Sequence, residues 1–166
     1  MREITPKEIN GNIFSLIGDD WMLITAEKND GSVNTMTASW GGAGVLWNKN
    51  VCFVFIRPQR YTYEFTEECD SFTLSFYPEK MRPALTLCGR KSGRDCDKIS
   101  EADLVPIKLD NTTYFEGAKL VLKVKKLYKT QLKADEFIEK SLIDKVYPTS
   151  DFHYVYVCEI EKVICE

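Results

Sequence analysis

The sequence predicts a mainly β chain closed into a small barrel with a few short helices. Three observations point there. An Asp30-Gly31 turn early in the chain sets up a hairpin. Short apolar runs recur at uneven spacing, with glycine-rich corners between them. Long amphipathic helices alternating with buried strands are missing, which argues against a doubly wound parallel sheet. With 166 residues, 44% of them hydrophobic and 28% charged, the chain reads as one domain spanning 1–166.

Thr5-Pro6 opens a short helix, with Ile9, Ile13, Phe14 and Ile17 on one side. Trp21–Thr25 reads as a strand, and Asn29–Ser32 turns it back into a second, Val33–Trp40. Gly41–Gly44 strips the chain of side chains at a corner. Val51–Ile56 is β-branched and aromatic on both faces, as in a fully buried strand. Pro58 ends it and starts a helix whose inward stripe is Tyr61, Phe65 and Cys69. Ser71–Tyr77 is the next strand. Pro78 starts a helix with Met81, Ala84, Leu85 and Cys88 inward, and Pro83 should kink or split it. Leu104–Leu109 and Tyr114-Phe115 are weaker strands. Ala118–Val124 alternates, then Lys126-Leu127 reverses the phase, so a bulge is expected near Lys125-Lys126. Its lysines read as the solvent face of an edge-like strand. Phe152–Ile164 is the last strand. The total is about seven strands.

The counts exclude much chemistry. His153 is the single histidine, so a histidine metal cage is impossible. The six cysteines include no C-x-x-C pair, and no metal site is expected. A net charge of −3, spread without a basic or acidic tail, gives no expectation of nucleic-acid or membrane binding. No apolar stretch is long enough to cross a bilayer, and the N-terminus shows no leader. A cytoplasmic protein with reduced thiols is therefore expected. No Rossmann fingerprint and no Walker A motif occur.

Three segments can carry chemistry. Asn34, Thr35, Met36, Thr37, Ala38 and Ser39 put short polar groups along a strand. They form either a solvated face or a hydrogen-bonding wall against a flat heterocycle. Arg57, Arg60, Tyr61 and Thr62 sit where a helix begins, a place suited to an anion, although the arginines could equally pair with nearby glutamates. Gly89–Lys98 carries four basic and two acidic residues around Lys91, Ser92 and Gly93. It is either a solvated loop or one whose backbone approaches a ligand. No catalytic dyad is visible.

Together, NTMTASWGG (34–42), LWNKNVCFVFIRPQRYTYEF (46–65), FTLSFY (72–77), GRKSGRDCDKI (89–99) and DFHYVYVCEIEKV (151–163) resemble the flavin reductase-like, FMN-binding split-barrel family, including its flavoredoxin-like members. Only Leu104–Tyr147 matches poorly. The resemblance implies a Greek-key split β-barrel, a homodimer and one non-covalent FMN per subunit near the interface. It implies that Thr35–Ser39 run beside the flavin ring, and that Arg57, Arg60, Tyr61 and Thr62 hold the phosphate. Lys91, Ser92 and Gly93 would close over the ribityl chain or phosphate, Phe76 would pack nearby, and His153 and Tyr154 would reach the flavin or the facing subunit. The expected activity is flavin reduction by NADH or NADPH. The alternative is an FMN electron carrier serving iron–sulfur or other redox protein partners. A flavin carries its own redox chemistry, so a protein that only orients it needs no dyad.

Overall fold

A computed structural model describes residues 1–166. In chain order the elements are β1 (Arg2–Ile4), α1 (Ile13–Ser15), β2 (Met22–Glu27), β3 (Val33–Ala38), β4 (Gly41–Leu46), β5 (Lys49–Ile56), α2 (Tyr61–Glu68), β6 (Ser71–Phe76) and α3 (Arg82–Arg90). Then come α4 (Lys98–Glu101), β7 (Pro106–Leu109), β8 (Thr112–Phe115), β9 (Leu120–Gln131), α5 (Ser141–Val146) and β10 (Tyr154–Cys165). The main sheet runs β3-β2-β6-β9-β10-β5-β4, with β1 added on β10 and β7-β8 as a separate hairpin. Every pairing is antiparallel.

The first and last strands of that order are neighbours in the chain, separated only by Ser39 and Trp40. The sheet therefore rolls around one interior and stays split between β3 and β4. Alternate residues of each strand point inward. Ile24, Leu74, Phe76, Leu122, Val54 and Tyr156 meet in the resulting core. The outer face of β2, β6 and β9 is covered by α3 and the β7-β8 hairpin, through Leu23, Val121, Leu85 and Phe115. The outer face of β4, β5 and β10 has no such cover. Trp40, Val45, Trp47 and Tyr128 are exposed there or at its margins, and Phe53 and Phe55 are half-buried.

Most expected elements appear, with instructive differences. The Asp-Gly hairpin forms, with Gly31 at φ 84°. Pro83 sits in the first turn of α3, and the helix splits from the short turn Glu79–Met81 just before it. The bulge lies at Leu127, which is skipped where Val157 pairs with Tyr128 and Cys158 with Lys126. Phe14 is 83% exposed and does not share the inward side of Ile13 and Ile17. The reason is that the expected helix breaks into separate turns. The glycine-rich corner is itself a strand, β4, joined to β5 by a two-residue turn with Trp47 at φ 53° and Asn48 at φ 57°. Glycine suits the close approach there: a Cβ on Gly41 would lie 3.1 Å from the Phe53 carbonyl oxygen. Nor is β9 an edge strand; it lies between β6 and β10, and Lys123, Lys126 and Lys129 pair with acidic groups or a carbonyl.

Candidate functional site

Alternation along β3 decides where its polar side chains go. Thr35 is wholly buried, its hydroxyl 2.9 Å from that of Thr25 and 3.1 Å from the Ile24 carbonyl. Thr37 donates to the Leu85 carbonyl of α3. On the opposite side, Asn34 donates to the Thr62 hydroxyl at 2.9 Å, which ties β3 to α2. Met36, Thr37 and Ala38 then line a cleft of about 150 Å³ with Trp40, Phe55, Arg57, Arg60 and His153. A groove of about 390 Å³ continues on the other side of Trp40, lined by Ile13, Phe14, Ile17, Ser39, Gly41 and neighbours.

Both arginines of the cleft also cap helices. Arg57 donates to the Val146 carbonyl at the end of α5 (3.0 Å) and to Asp151. Arg60 donates to the Gly89 and Cys88 carbonyls at the end of α3 (2.9 and 3.2 Å). Cations at a helix C-terminus are favourable for the orphan carbonyls and the dipole. Each guanidinium has five N–H donors, so donors remain free. Burial pushes the Asp151 carboxyl up, but hydrogen bonds from Arg57, Gln59 and Thr149 outweigh it and hold the group at about 2. Burial, helped by Arg57, pushes His153 down to about 4, so the ring is neutral.

The other expected residues sit around this cleft or away from it. Gly93 presses on Asn34 and Tyr61, where a Cβ would lie 2.4 Å from the Asn34 Oδ1. The loop is pinned by Arg94, which donates to the Gln59 carbonyl (2.9 Å) and stacks over Tyr61. Asn34, Tyr61, Thr62 and Gly93 thus form a second cluster behind Arg60. Ser92 accepts from the Arg94 amide at 3.2 Å, and Lys91 pairs with Glu101 at the surface. Ser39 lies at the β3–β4 corner, in the groove rather than the cleft. Phe76 is in the barrel core. Tyr154 stacks on Tyr63 with ring centroids 4.8 Å apart, and Lys129 lies over both.

Sequence reasoning missed Phe55, Tyr147, Asp151 and Lys98. Phe55 reads as core strand, and only the outward phase of β5 brings it to the cleft. Lys98 is 3% exposed and donates to the Lys91 carbonyl (3.2 Å). Burial pushes its ammonium down to about 8. Its position in the GRKSGRDCDKI run was the available signal. No three side chains converge as metal ligands.

Residues 15–164 match the profile described as the flavin reductase like domain. The chain belongs to that family. Its fold is that of the FMN-binding split barrels. It is similar to the FMN-binding protein from Thermus thermophilus with bound 1-cyclohex-2-enone (18% identity, 100% of this chain and 81% of that one, TM-score 0.70). It is similar also to flavoredoxin from Methanosarcina acetivorans (22%, 96% and 74%, 0.67). The styrene monooxygenase flavin reductase of Pseudomonas putida S12 is a further likeness (12%, 88% and 79%, 0.65). No curated protein sequence matches it. No helix is long and apolar enough to cross a membrane.

The cleft of this flavin reductase-like chain fits FMN in its chemistry. Met36, Ala38 and Phe55 give an apolar wall, Arg57 and Arg60 keep donors for an anion, and no carboxylate is in the lining. Its volume is below the roughly 300–1,000 Å³ of sites that enclose a small molecule. A flavin there would be held along one side, with the uncovered β4-β5-β10 face beside it.

Proposed function

We propose that this chain binds one non-covalent FMN per subunit of a homodimer and acts as a flavin reductase, taking hydride or electrons from NADH or NADPH. The observation that carries the reading is the cleft itself: two guanidiniums beside an apolar wall, with no carboxylate in the lining, in a chain of the flavin reductase-like family. When bound, FMN supplies the hydride-accepting and electron-donating chemistry. The chain's own residues bind and orient. Arg57 and Arg60 neutralise the phosphate with the donors their helix caps leave free, and Tyr61 and Thr62 add the start of α2. Met36, Thr37, Ala38 and Phe55 exclude water along the ring. The Lys91–Gly93 loop, seated on Asn34 and Tyr61, closes the phosphate end. The groove beyond Trp40 leaves room for the electron donor.

The uncovered face of β4, β5 and β10 supports the homodimer. A contiguous apolar face of this kind usually marks an interface, and an obligate one buries on the order of 2,000 Å² or more. A twofold partner there would complete the flavin site.

One observation favours the second reading, an FMN electron carrier serving iron–sulfur or other redox proteins. The groove contains no cationic side chain to receive the pyrophosphate of a dinucleotide. Anaerobic mixing of the FMN-loaded protein with NADH, NADPH and reduced ferredoxin decides, with flavin absorbance as the readout. Bleaching by a pyridine nucleotide is the expected result. Bleaching by ferredoxin alone would replace the reductase reading with the carrier.

A further inference from the structure

His153 is 93% buried by area, being only 7% exposed, yet its ring makes one hydrogen bond within the chain. Nδ1 lies 2.8 Å from the hydroxyl of Tyr147. Tyr147 is also buried, and its hydroxyl has no other partner in the chain. A buried phenol proton needs an acceptor, and Nδ1 is the one in reach. If Nδ1 carried the proton instead, the phenol hydrogen would be left without a partner. The imidazole proton therefore belongs on Nε2. With Nδ1 turned to Tyr147, Nε2 is the ring nitrogen left for a further partner, and the imidazole packs beside Trp40 (5.3 Å between centroids) and Phe55 (6.3 Å). Both are walls of the cleft. His153 itself lines the cleft, and Nε2 is not among the fully buried, unpartnered polar atoms.

We propose that Tyr147 is a positioning residue that fixes the tautomer of His153, so that Nε2–H stands as a hydrogen-bond donor to an acceptor atom of the molecule held in the cleft. The identity of that molecule as FMN rests on the proposed function; the tautomer does not. The groups facing the ring agree with a neutral donor. Burial holds the Tyr147 hydroxyl above its ordinary pKa, and Arg57, 5.2 Å over the Tyr147 ring, opposes an imidazolium. Asp151, which would favour one, is engaged by Arg57 and Gln59.

With one histidine in the chain, long-range nitrogen–proton spectra of the flavin-free protein contain a single imidazole. Near neutral pH the expected pattern is a pyridine-type Nδ1 and a pyrrole-type Nε2. The opposite pattern, or an even mixture, overturns the proposal. In Tyr147→Phe the ring should relax toward a mixture, and the FMN dissociation constant should rise about two- to tenfold, the worth of one neutral hydrogen bond. An unchanged tautomer in that variant also overturns it, and so does unchanged FMN affinity beside an altered tautomer. Failure of the wild type to bind FMN would refute the cofactor, while the spectra still decide the tautomer.

Discussion

Replacing Arg57 with alanine removes three contacts at once. The guanidinium pairs with Asp151, donates to the Val146 carbonyl at 3.0 Å and lies 5.2 Å over the Tyr147 ring. The two partners of the ion pair are 26% and 12% exposed, so the pair is neither free in water nor fully buried. Exposed pairs contribute about 0–1 kcal/mol, and breaking a buried one costs about 3–5, which places this pair near 2 kcal/mol. For a chain of this size that lowers Tm by about 4–8 °C. The loss should depend on pH in a defined direction. Because Asp151 titrates at about 2, below its ordinary 3.8, its contribution is complete above that ordinary value and is lost as pH falls toward 2. The difference in Tm between wild type and Arg57→Ala should be full near neutrality and narrow as pH falls from about 4 toward 2, leaving the part due to the Val146 and Tyr147 contacts. In parallel, titration of the flavin-free proteins should show FMN affinity lower by about ten- to a hundredfold, as for a charged hydrogen bond. Equal melting temperatures at neutral pH would refute the structural role assigned to Arg57. Equal FMN affinities would move the phosphate away from it.

Gly93→Ala should cost about 1–3 kcal/mol by overpacking, since the new methyl meets Asn34, and differential scanning calorimetry would read it. Lys98 titrates at about 8 in the fold and at 10.5 ordinarily, so the unfolded chain holds more protons between those values and stability rises with pH there. Denaturant titrations across that range should show this rise in the wild type and not in Lys98→Met. Trp47 and Tyr128 pack edge to face on the uncovered side of the barrel, with centroids 6.5 Å apart. Glutamate at both positions should turn the proposed dimer into monomers in light scattering at low micromolar concentration.

The strands were legible wherever burial imposed alternation, as in Ala118–Val124, because one wrong phase would expose a whole face. β4 was not, since three of its six residues are glycine and its pairing is set by the turn at Trp47-Asn48. Arg57 and Arg60 stood out as charges near a helix start. Their second task, capping α5 and α3, depends on where those helices end in space. Tyr147 and His153 are six residues apart with no regular element joining them, so no periodicity announces their contact. Thr35 and Phe76 show the converse. Their residue types suit a flavin wall, but strand phase turns one toward Thr25 and the other into the core.

FMN binding in the cleft between β3, β5 and His153 underlies the proposed function. Titration of the flavin-free protein with FMN, followed by the long-range nitrogen resonances of its single imidazole, tests this most directly. Saturation at one FMN per chain is expected, with the Nε2 resonance shifting in step with occupancy. Saturable binding that leaves the His153 resonances unmoved, or no saturable binding, would contradict it.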